Sequence, residues 1–359
     1  MRIFTEYIAI DLGTCNLKMI SLSPGPGGQG YSIHTFLRRD LPPGLVCGGF
    51  TNPTIRSVPE FARILKEVVE KIRDRKEGCI MGLPDRWVKL HVVELVLKQG
   101  EVNSPEYLSW RLRKLLCPPT AGEVMADHQI LGLTETPEGK KYKVMVGLVQ
   151  KSIVDLLANL LVELKIELMA FDTSTLGVYN LFEELFPDRS LDRSLIICHI
   201  GHETTVIKVF DRGILHYERV IEVGGEAFGK ILAETENLSL QDAGKRLAEK
   251  RLFPVTREDL IRQIGDRHLF EKIFGNWLRE LHVTFRFYQD KFKVTHLPPI
   301  YLTGGGSLMD GLPDFLSEFF AVPCQRFNPF HGIPWVGEMA PAMLAQGPQM
   351  APCMGLLTP

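Results

Sequence analysis

The 359-residue sequence contains no apolar run of the roughly 18 residues that a membrane-spanning helix needs. Its most apolar stretch, residues 153–169, is interrupted by charged and amide side chains. The first thirteen residues lack the apolar core and small-residue cleavage site of a signal peptide. We therefore expect a cytoplasmic protein that does not insert into a membrane directly.

Excess charge of either sign is also nearly absent, because 41 Lys and Arg residues stand against 43 Asp and Glu residues. This balance excludes a whole-surface nucleic-acid binder, and we expect no nucleic-acid partner. The 7 cysteines form no CxxC pair, which is typical of a reduced intracellular chain. His199 and His202 beside Cys198 are the only local cluster, so zinc is not expected.

What the sequence does contain is a repeated pattern of strand, turn, strand, turn, strand and helix. The first copy spans residues 7–74 and the second spans residues 194–235. A chain of this length suggests two or three domains, and the repeat favours internal duplication. The predicted strands are 7–12, 17–22 and 31–37, then 195–199, 205–210 and 214–221, with helices at 53–74 and from Gly224 onward.

Between the two copies, residues 84–150 read as a compact α+β unit with a strand, a helix and two further strands. Helices are predicted next at 152–164 and 174–186, and after the second copy at 239–249 and from Thr256 to about Phe292. A buried strand at 300–302, a helix at 309–320 and a terminal piece at 350–357 that packs back complete the chain.

In each of the two copies, one tight turn follows the first strand. In the first, Asp11 precedes Gly13 and Thr14, and a carboxylate followed by free backbone amides can hold a metal-bound phosphate. Lys18 on the next strand adds charge, although an ordinary hairpin explains the same residues. In the second copy the strand ends in His199, a poor ligand for Mg²⁺, which prefers oxygen.

A third turn, Gly304-Gly305-Gly306, lies between a strand and a helix. Three glycines permit close backbone approach to a ligand, and a helix N-terminus favours anions, although a tight turn alone also explains them. The turn matches neither GxGxxG nor a Walker loop, which excludes the Rossmann and P-loop classes. No GxSxG, HExxH or paired Cys/His arrangement occurs, so no catalytic residue is proposed.

Three segments, beginning IAIDLG, HIGHETT and IYLTGGGS, occur in this order. Together they resemble the actin-like ATPase superfamily and, within it, the family of the type IV pilus assembly protein PilM, which is related to the cell-division protein FtsA. The likeness covers nearly the whole chain. It implies an α/β fold of the actin-like (ribonuclease H-like) type, duplicated into two lobes with an inserted small α+β subdomain.

The resemblance also implies a division into four subdomains. Residues 1–83, with crossover helices at 152–190, would form the first actin-like subdomain, and 84–150 the inserted unit. Residues 191–225 and 297–359 would form the second actin-like subdomain, and 226–296 a helical subdomain of the second lobe.

By position, the resemblance assigns ATP and Mg²⁺ to the cleft between the lobes, with Asp11 in indirect contact with Mg²⁺. Two departures from the family pattern predict that nucleotide binding is weak or lost and that ATPase activity is weak or absent. His199 replaces an aspartate, and Val283 replaces a basic residue of the long helix. The implied nucleotide-binding residues are Asp11, Gly13, Thr14, Cys15, Lys18, Gly201, Thr204, Thr205, Gly224, Gly225, Glu280, Thr284, Gly304, Gly305 and Gly306.

The function implied by the resemblance is a cytoplasmic scaffold in pilus biogenesis and twitching motility, or in a related secretion system. It would lie peripheral to the inner membrane by binding the N-terminal cytoplasmic peptide of a PilN-like membrane protein, with residues 84–150 as the peptide clamp. The near-neutral chain predicts little salt dependence for that binding. The sequence leaves open whether the chain also associates with itself.

Two other functions also stay open. One is an active ATPase or sugar-kinase-like enzyme of the same superfamily, against which His199 and Val283 stand. The other is a filament-forming membrane tether like FtsA. That relative ends in a basic amphipathic helix, whereas residues 350–359 contain no Lys or Arg.

Overall fold

The computed structural model describes residues 7–26, 30–71, 78–117, 122–136, 139–186, 194–249, 253 and 264–358. Its strands in chain order are β1 (Ile8–Leu12), β2 (Asn16–Pro24), β3 (Tyr31–Asp40), β4 (Val46–Cys47), β5 (Thr54–Ile55), β6 (Cys79–Leu83), β7 (Val88–Val96), β8 (Val124–Thr136), β9 (Gly139–Gln150), β10 (Leu168–Thr173), β11 (Leu195–Ile200), β12 (Thr205–Asp211), β13 (Ile214–Ile221), β14 (Ile300–Thr303) and β15 (Cys324–Arg326). The helices are α1 (Val58–Val69), α2 (Gln99–Val102), α3 (Pro105–Leu116), α4 (Lys151–Glu163), α5 (Leu176–Leu185), α6 (Gly225–Glu236), α7 (Leu240–Glu249), α8 (Ile264–Phe292), α9 (Leu312–Phe320), α10 (Pro341–Leu344) and α11 (Gly347–Gly355).

Two five-stranded sheets share one topology. The first has the order β3-β2-β1-β6-β10 and the second the order β13-β12-β11-β14-β15. In each sheet the first three strands are antiparallel, and the last two continue in parallel from the central strand. This equivalence confirms the duplication predicted from the sequence. We call the part built on the first sheet the first lobe and the part built on the second sheet the second lobe.

Each central strand is buried on both faces, and its alternate side chains enter different cores. On β1, Ile8 and Ile10 pack in a core of the first lobe with α1 and α4, whereas Ala9 faces a central core. On β11, Ile196 packs in a core of the second lobe, whereas Ile197 faces the same central core. The central core therefore joins the two sheets.

Helices α5 and α11 lie in that central core and contact each other closely. A Cβ atom built on Gly177 would lie 2.6 Å from the Gly355 carbonyl carbon, so only glycine fits at this crossing. The predicted terminal piece at 350–357 does pack back, since every residue of α11 is buried. Cys353 contributes an Sγ contact of 3.6 Å to the Ala9 carbonyl oxygen of β1.

A third, antiparallel sheet with the order β7-β9-β8 lies between β6 and α4 in the chain. Leu108 and Leu112 of α3 pack with Val144 and Val146 of β9 in a separate small core. One face of this sheet is therefore covered by α3, which leaves the other face to border the rest of the molecule. The boundaries of the four predicted subdomains stay a prediction.

Most predicted elements agree with the structure, with four corrections. The helix expected at 53–74 begins only at Val58, because Thr54 and Ile55 form β5, which pairs with β4. The helix expected at 309–320 begins at Leu312, after a 3₁₀ turn. Strands β10 and β15 were not predicted, since one is half-exposed and the other has three residues. Parts of the predicted elements at 24–30, 53–74, 136–140 and 256–292 lie outside the described residues.

Candidate functional site

The turn between β1 and β2 carries a buried ion pair. Asp11 and Lys18 face each other in the strand register, and the Lys18 Nζ lies 2.7 Å from the Asp11 Oδ2. Burial alone would raise the pKa of Asp11, but the Lys18 ammonium outweighs it and holds that pKa below its usual value. The Asp11 Oδ1 has no hydrogen-bond partner among the described residues. The nearby Ser174 hydroxyl donates to the Leu83 carbonyl oxygen.

The equivalent turn between β11 and β12 does not reproduce that pair. His199 takes the place of Asp11, and Val206 is its cross-strand partner instead of a lysine. Burial lowers the pKa of His199 to about 4, so its imidazole is neutral near pH 7. Its Nδ1 lies 3.1 Å from the Thr303 Oγ1 on β14. The two positions equivalent to Asp11 and Lys18 therefore carry neither a carboxylate nor a cation.

Glycines bring the backbone of the second lobe close together around this turn. A Cβ on Gly224 would lie within 2.8 Å of backbone atoms of residues 201, 202 and 204. Gly304 has a φ of +85°, and a Cβ there would lie 2.4 Å from the Ile200 carbonyl oxygen. A Cβ on Gly306 would lie 2.3 Å from the Ile200 Cγ2. Only glycine fits these positions. The turns that contain Gly201, Gly224 and Gly304 can therefore lie side by side.

A cavity of about 420 Å³ lies between the two hairpin turns and the glycine-rich turn. We call it the cleft. The first lobe contributes residues 11–16 and the second contributes residues 201–204, so the cleft opens between the lobes. Gly244 and Leu247 of α7 and Met309 form part of its wall.

Ten of the predicted nucleotide-binding residues line the cleft and five do not. Thr205 accepts a hydrogen bond from the Trp277 Nε1 inside the second lobe. Gly224 and Gly304 pack against the backbone of residues 200–204 and do not line the cleft. Glu280 pairs with Arg219 at 2.7 Å, and the buried Thr284 donates to the Glu280 carbonyl, so both are engaged away from the wall. The residues on the wall are Asp11, Gly13, Thr14, Cys15, Lys18, Gly201, Thr204, Gly225, Gly305 and Gly306.

Sequence reasoning missed two charged residues, Asp85 and Arg86, that line the cleft from the segment after β6. Arg86 forms ion pairs with Glu203 of the second hairpin turn and, at 3.1 Å, with Glu222. Both partners belong to the other lobe. A Pro84-Asp85-Arg86-Trp87 stretch gives no motif of its own, so only the fold reveals that it faces the cleft.

Next to the cleft, Lys208 of β12 is buried between the lobes. Its Nζ lies 3.1 Å from the Asp85 Oδ1, 2.8 Å from the Glu218 Oε2 and 2.6 Å from the Thr175 Oγ1. Burial alone would lower the pKa of Lys208, but the two carboxylates outweigh it and hold the pKa above its usual value. Lys208 is therefore a charged link between β12 and β13 of the second lobe and the segment after β6.

A Mg²⁺-bound nucleotide fits part of this site. The Asp11 Oδ1 is buried on the wall without a partner among the described residues, which suits a water ligand of Mg²⁺. The glycine turns present backbone to the cleft, and Mg²⁺, when bound, would neutralise phosphate charge. Lys18 is already paired with Asp11, however, and the Glu203 carboxylate lines the same cleft, where it is paired with Arg86.

A second cavity, of about 740 Å³, lies on the open face of the third sheet, and we call it the groove. Met145, Gly147 and Val149 of β9 line it, alternating with residues that face the small core under α3. Leu176, Tyr179, Asn180 and Glu183 of α5 form the opposite wall at helical spacing, and β10 and the β12–β13 hairpin close it.

The groove is apolar inside and acidic at its polar positions. Phe210 and Tyr179 stack with ring centroids 3.8 Å apart. The buried Tyr179 hydroxyl has no hydrogen-bond partner within the described ranges, and burial raises the pKa of Tyr179 to about 12. Burial also raises the pKa of Asp172 to about 6. The polar residues on the walls are Asp127, His128, Gln129, Asp172, Thr173, Asn180, Glu183 and Glu184.

The family is decided by a match over almost the whole chain. A family model described as type IV pilus assembly protein PilM matches residues 9–357. The chain belongs to the PilM family. It is accordingly an actin-like protein of type IV pilus assembly.

Solved structures confirm the fold of this PilM-family chain. One, described as a PilM-PilN type IV pilus biogenesis complex, aligns with a TM-score of 0.78 at 22% identity, over 98% of each chain. The ethanolamine utilization protein EutJ from Carboxydothermus hydrogenoformans aligns with a TM-score of 0.53 at 10% identity, over 99% of this chain and 92% of EutJ. MreB5 of Spiroplasma citri bound to AMPPNP gives 0.51 at 12% identity, over 97% and 94%. The fold is the actin-like ATPase fold. No curated protein matches the chain in sequence.

Among the described residues, no helix is long and apolar enough to cross a membrane.

Proposed function

We propose that this PilM-family chain is a scaffold of an inner-membrane pilus or secretion complex that binds the cytoplasmic tail of a PilN-like membrane protein. The groove carries this proposal, because it is a large apolar channel with a buried hydroxyl that has no partner among the described residues. The structurally similar PilM whose description names PilN supports the choice of partner. Such a partner would place the chain at the membrane.

The tail is expected to lie across the face of the third sheet. Residues of β7, β8 and β9 all border the groove, so it crosses the sheet face and does not follow a single edge. An extended peptide there can place apolar side chains against Leu90 and Met145, and a backbone carbonyl can accept from the Tyr179 hydroxyl. This favours binding in a groove over the addition of a strand at a sheet edge.

The charges of the groove refine the expected peptide. Asp127, Glu183 and Glu184 border it with His128 as the only basic side chain on its described walls. A peptide with a Lys or Arg beside its apolar residues therefore fits, and its binding should weaken at high salt. The near-neutral whole chain led to the opposite expectation, because a net charge averages over surfaces that the peptide does not touch.

Nucleotide binding is the second function that specific observations favour. The ten predicted residues that meet on the cleft wall and the unpartnered Asp11 Oδ1 support ATP with Mg²⁺ as a ligand. The neutral His199 and the paired Lys18 argue for weak binding and for weak or absent hydrolysis. We therefore propose a scaffold whose nucleotide, if bound, is not turned over at a catalytic rate.

A pair of glycine variants tests the groove. A Cβ on Gly147 meets only the Leu90 Cδ2, at 3.6 Å, so Gly147→Leu can be accommodated by the strand while its side chain fills the groove. On the neighbouring strand β8, a Cβ on Gly132 meets nothing within 4 Å, and Gly132 does not line the groove. Gly132→Leu is therefore the matched control.

The probe is a fluorescein-labelled synthetic peptide of the N-terminal tail of a PilN-like protein encoded in the same genome, followed by fluorescence anisotropy. We expect Gly147→Leu to weaken binding at least tenfold, or about 1.4 kcal/mol, and Gly132→Leu to leave it unchanged. Equal binding by the wild type and Gly147→Leu, with both chains folded, would place the peptide elsewhere.

A further inference from the structure

A carboxylate of the chain lies in one of the two hairpin turns that border the cleft. Glu203 lies in the second hairpin turn, between His202 and Thr204, and all three line the cleft. Its side chain is about 20% exposed and is held by Arg86 from the other lobe. The same Arg86 holds Glu222 at 3.1 Å. We call Arg86, Glu203 and Glu222 the cross-cleft clasp.

The clasp spans the cleft from one lobe to the other. Arg86 belongs to the short 3₁₀ turn Asp85–Trp87 that follows β6, whereas Glu203 and Glu222 follow strands of the second sheet. Glu203 also lies near enough to the first hairpin turn to act on Cys15, whose pKa is raised by burial and further by this carboxylate. Glu203 of the second turn therefore lines the same cleft as the first turn.

The clasp differs from an ordinary exposed ion pair, which contributes little. Both Arg86 and Glu203 side chains are only about one-fifth exposed, at 22% and 20%. Asp85, the residue before Arg86, is fixed by its ion pair with Lys208, so Arg86 is positioned before it meets Glu203. Preorganisation of this kind lowers the entropy cost of each pairing.

We propose that the Glu203 carboxylate takes the place of a nucleotide phosphate, so that the clasp closes the cleft from within and a phosphate ligand binds only by displacing Glu203 from Arg86. This rests on the proposal that the cleft is a nucleotide site. Arg86 is then the cation that changes partner, since a guanidinium binds carboxylate and phosphate with the same geometry. Glu203 sets how tightly a phosphate anion is bound.

The experiment measures binding of Mg²⁺ and a fluorescent ATP analogue carrying a methylanthraniloyl group to four forms of the full chain. Glu203→Gln keeps the size of the side chain and removes its charge, and we expect its Kd to be at least about tenfold lower than that of the wild type. Arg86→Gln should bind more weakly than Glu203→Gln. Glu67→Gln, which removes exposed ion pairs to Arg39 and Arg63, is the control and should match the wild type.

Hydrogen exchange without nucleotide gives a second readout. We expect Glu203→Gln to exchange faster than the wild type at the amides of residues 85–87 and 201–204, and Glu67→Gln to be unchanged there. Wild type and Glu203→Gln that bind equally tightly would overturn the inference while the nucleotide site survives. Failure of both to bind, with no change in exchange, would overturn the inference and the nucleotide site together, without affecting peptide binding in the groove.

Discussion

Lys208 lies near both the cleft and the groove, but the polar groups of the two cavities differ in their partners. In the cleft, Lys18 is paired with Asp11 and Arg86 with Glu203, so these charges are balanced within the chain, although the Asp11 Oδ1 and the Arg86 Nε have no hydrogen-bond partner among the described residues. In the groove, the Tyr179 hydroxyl has no partner and no ion pair neutralises Glu183, as far as the described residues extend. Buried polar groups without partners cost free energy. Among the described residues, Glu183 in the groove therefore lacks the cationic partner that Asp11 and Glu203 have in the cleft, and a Lys or Arg of a bound peptide would supply it.

The two regions also share a boundary. Asp85 lines the cleft and Asp172 lines the groove, and both lie near Lys208. Asp85 begins the turn that leads into β7, whose Val88 borders the groove. A peptide that shifts β7 would therefore act on the segment that carries Arg86.

The largest expected effect comes from removing the charge at this boundary. Lys208→Met keeps the length of the side chain but leaves Asp85 and Glu218 buried without their cation. Breaking a buried pair in this way costs about 3–5 kcal/mol of unfolding free energy. Urea unfolding followed by circular dichroism measures the loss.

The control for Lys208→Met is Lys151→Met, which removes an exposed i,i+4 pair with Asp155. We expect that variant to change the unfolding free energy by at most about 0.5 kcal/mol. If the two variants lost the same small amount of unfolding free energy, Lys208 would not link the lobes, and the cleft and the groove would not share it as a boundary.

A smaller effect is expected at the groove and depends on pH. Burial raises the pKa of Asp172 from 3.8 to about 6 in the folded chain. The folded state therefore binds this proton more tightly than the unfolded state, and stability falls as the pH rises from about 4 to 6. Above that window the ionised carboxylate costs at most about 3 kcal/mol.

Asp172→Asn removes this cost, and its side-chain oxygen can still accept the 2.6 Å hydrogen bond from the Thr173 amide. We expect the variant to be more stable than the wild type at pH 8, with an advantage that disappears towards pH 4. Urea unfolding at several pH values measures the difference. A constant difference across that range would show that Asp172 does not titrate abnormally.

Much of the fold could be predicted from the sequence because its signals are local. The alternating apolar strands and the two glycine-containing turns locate β1, β2, β11 and β12, and the motif order locates ten residues of the cleft. Strand β10 was missed because LMAFDT is short and half-exposed, without a clear period.

The contacts that distinguish the two cavities could not be predicted in the same way. Arg86 and Glu203 are 117 residues apart, and Lys208 and Asp85 are 123 apart, so only the packing of one lobe on the other brings them together. The groove is likewise built from α5 and a sheet that precedes it in the chain. No periodic pattern in the sequence indicates that these distant segments come into contact. The inserted sheet, in contrast, was predicted from the patterns of its own strands.

The central claim is that the protein works through the groove. Hydrogen exchange of the wild-type chain with and without the PilN-like tail peptide tests it most directly, with a peptide whose Lys and Arg are changed to Glu as the control. We predict that the tail peptide slows exchange most at residues 145–149 of β9 and 176–183 of α5, and that the control peptide does not. Slowing confined to the cleft turns at residues 13–16 and 201–204, with β9 and α5 unchanged, would contradict the account.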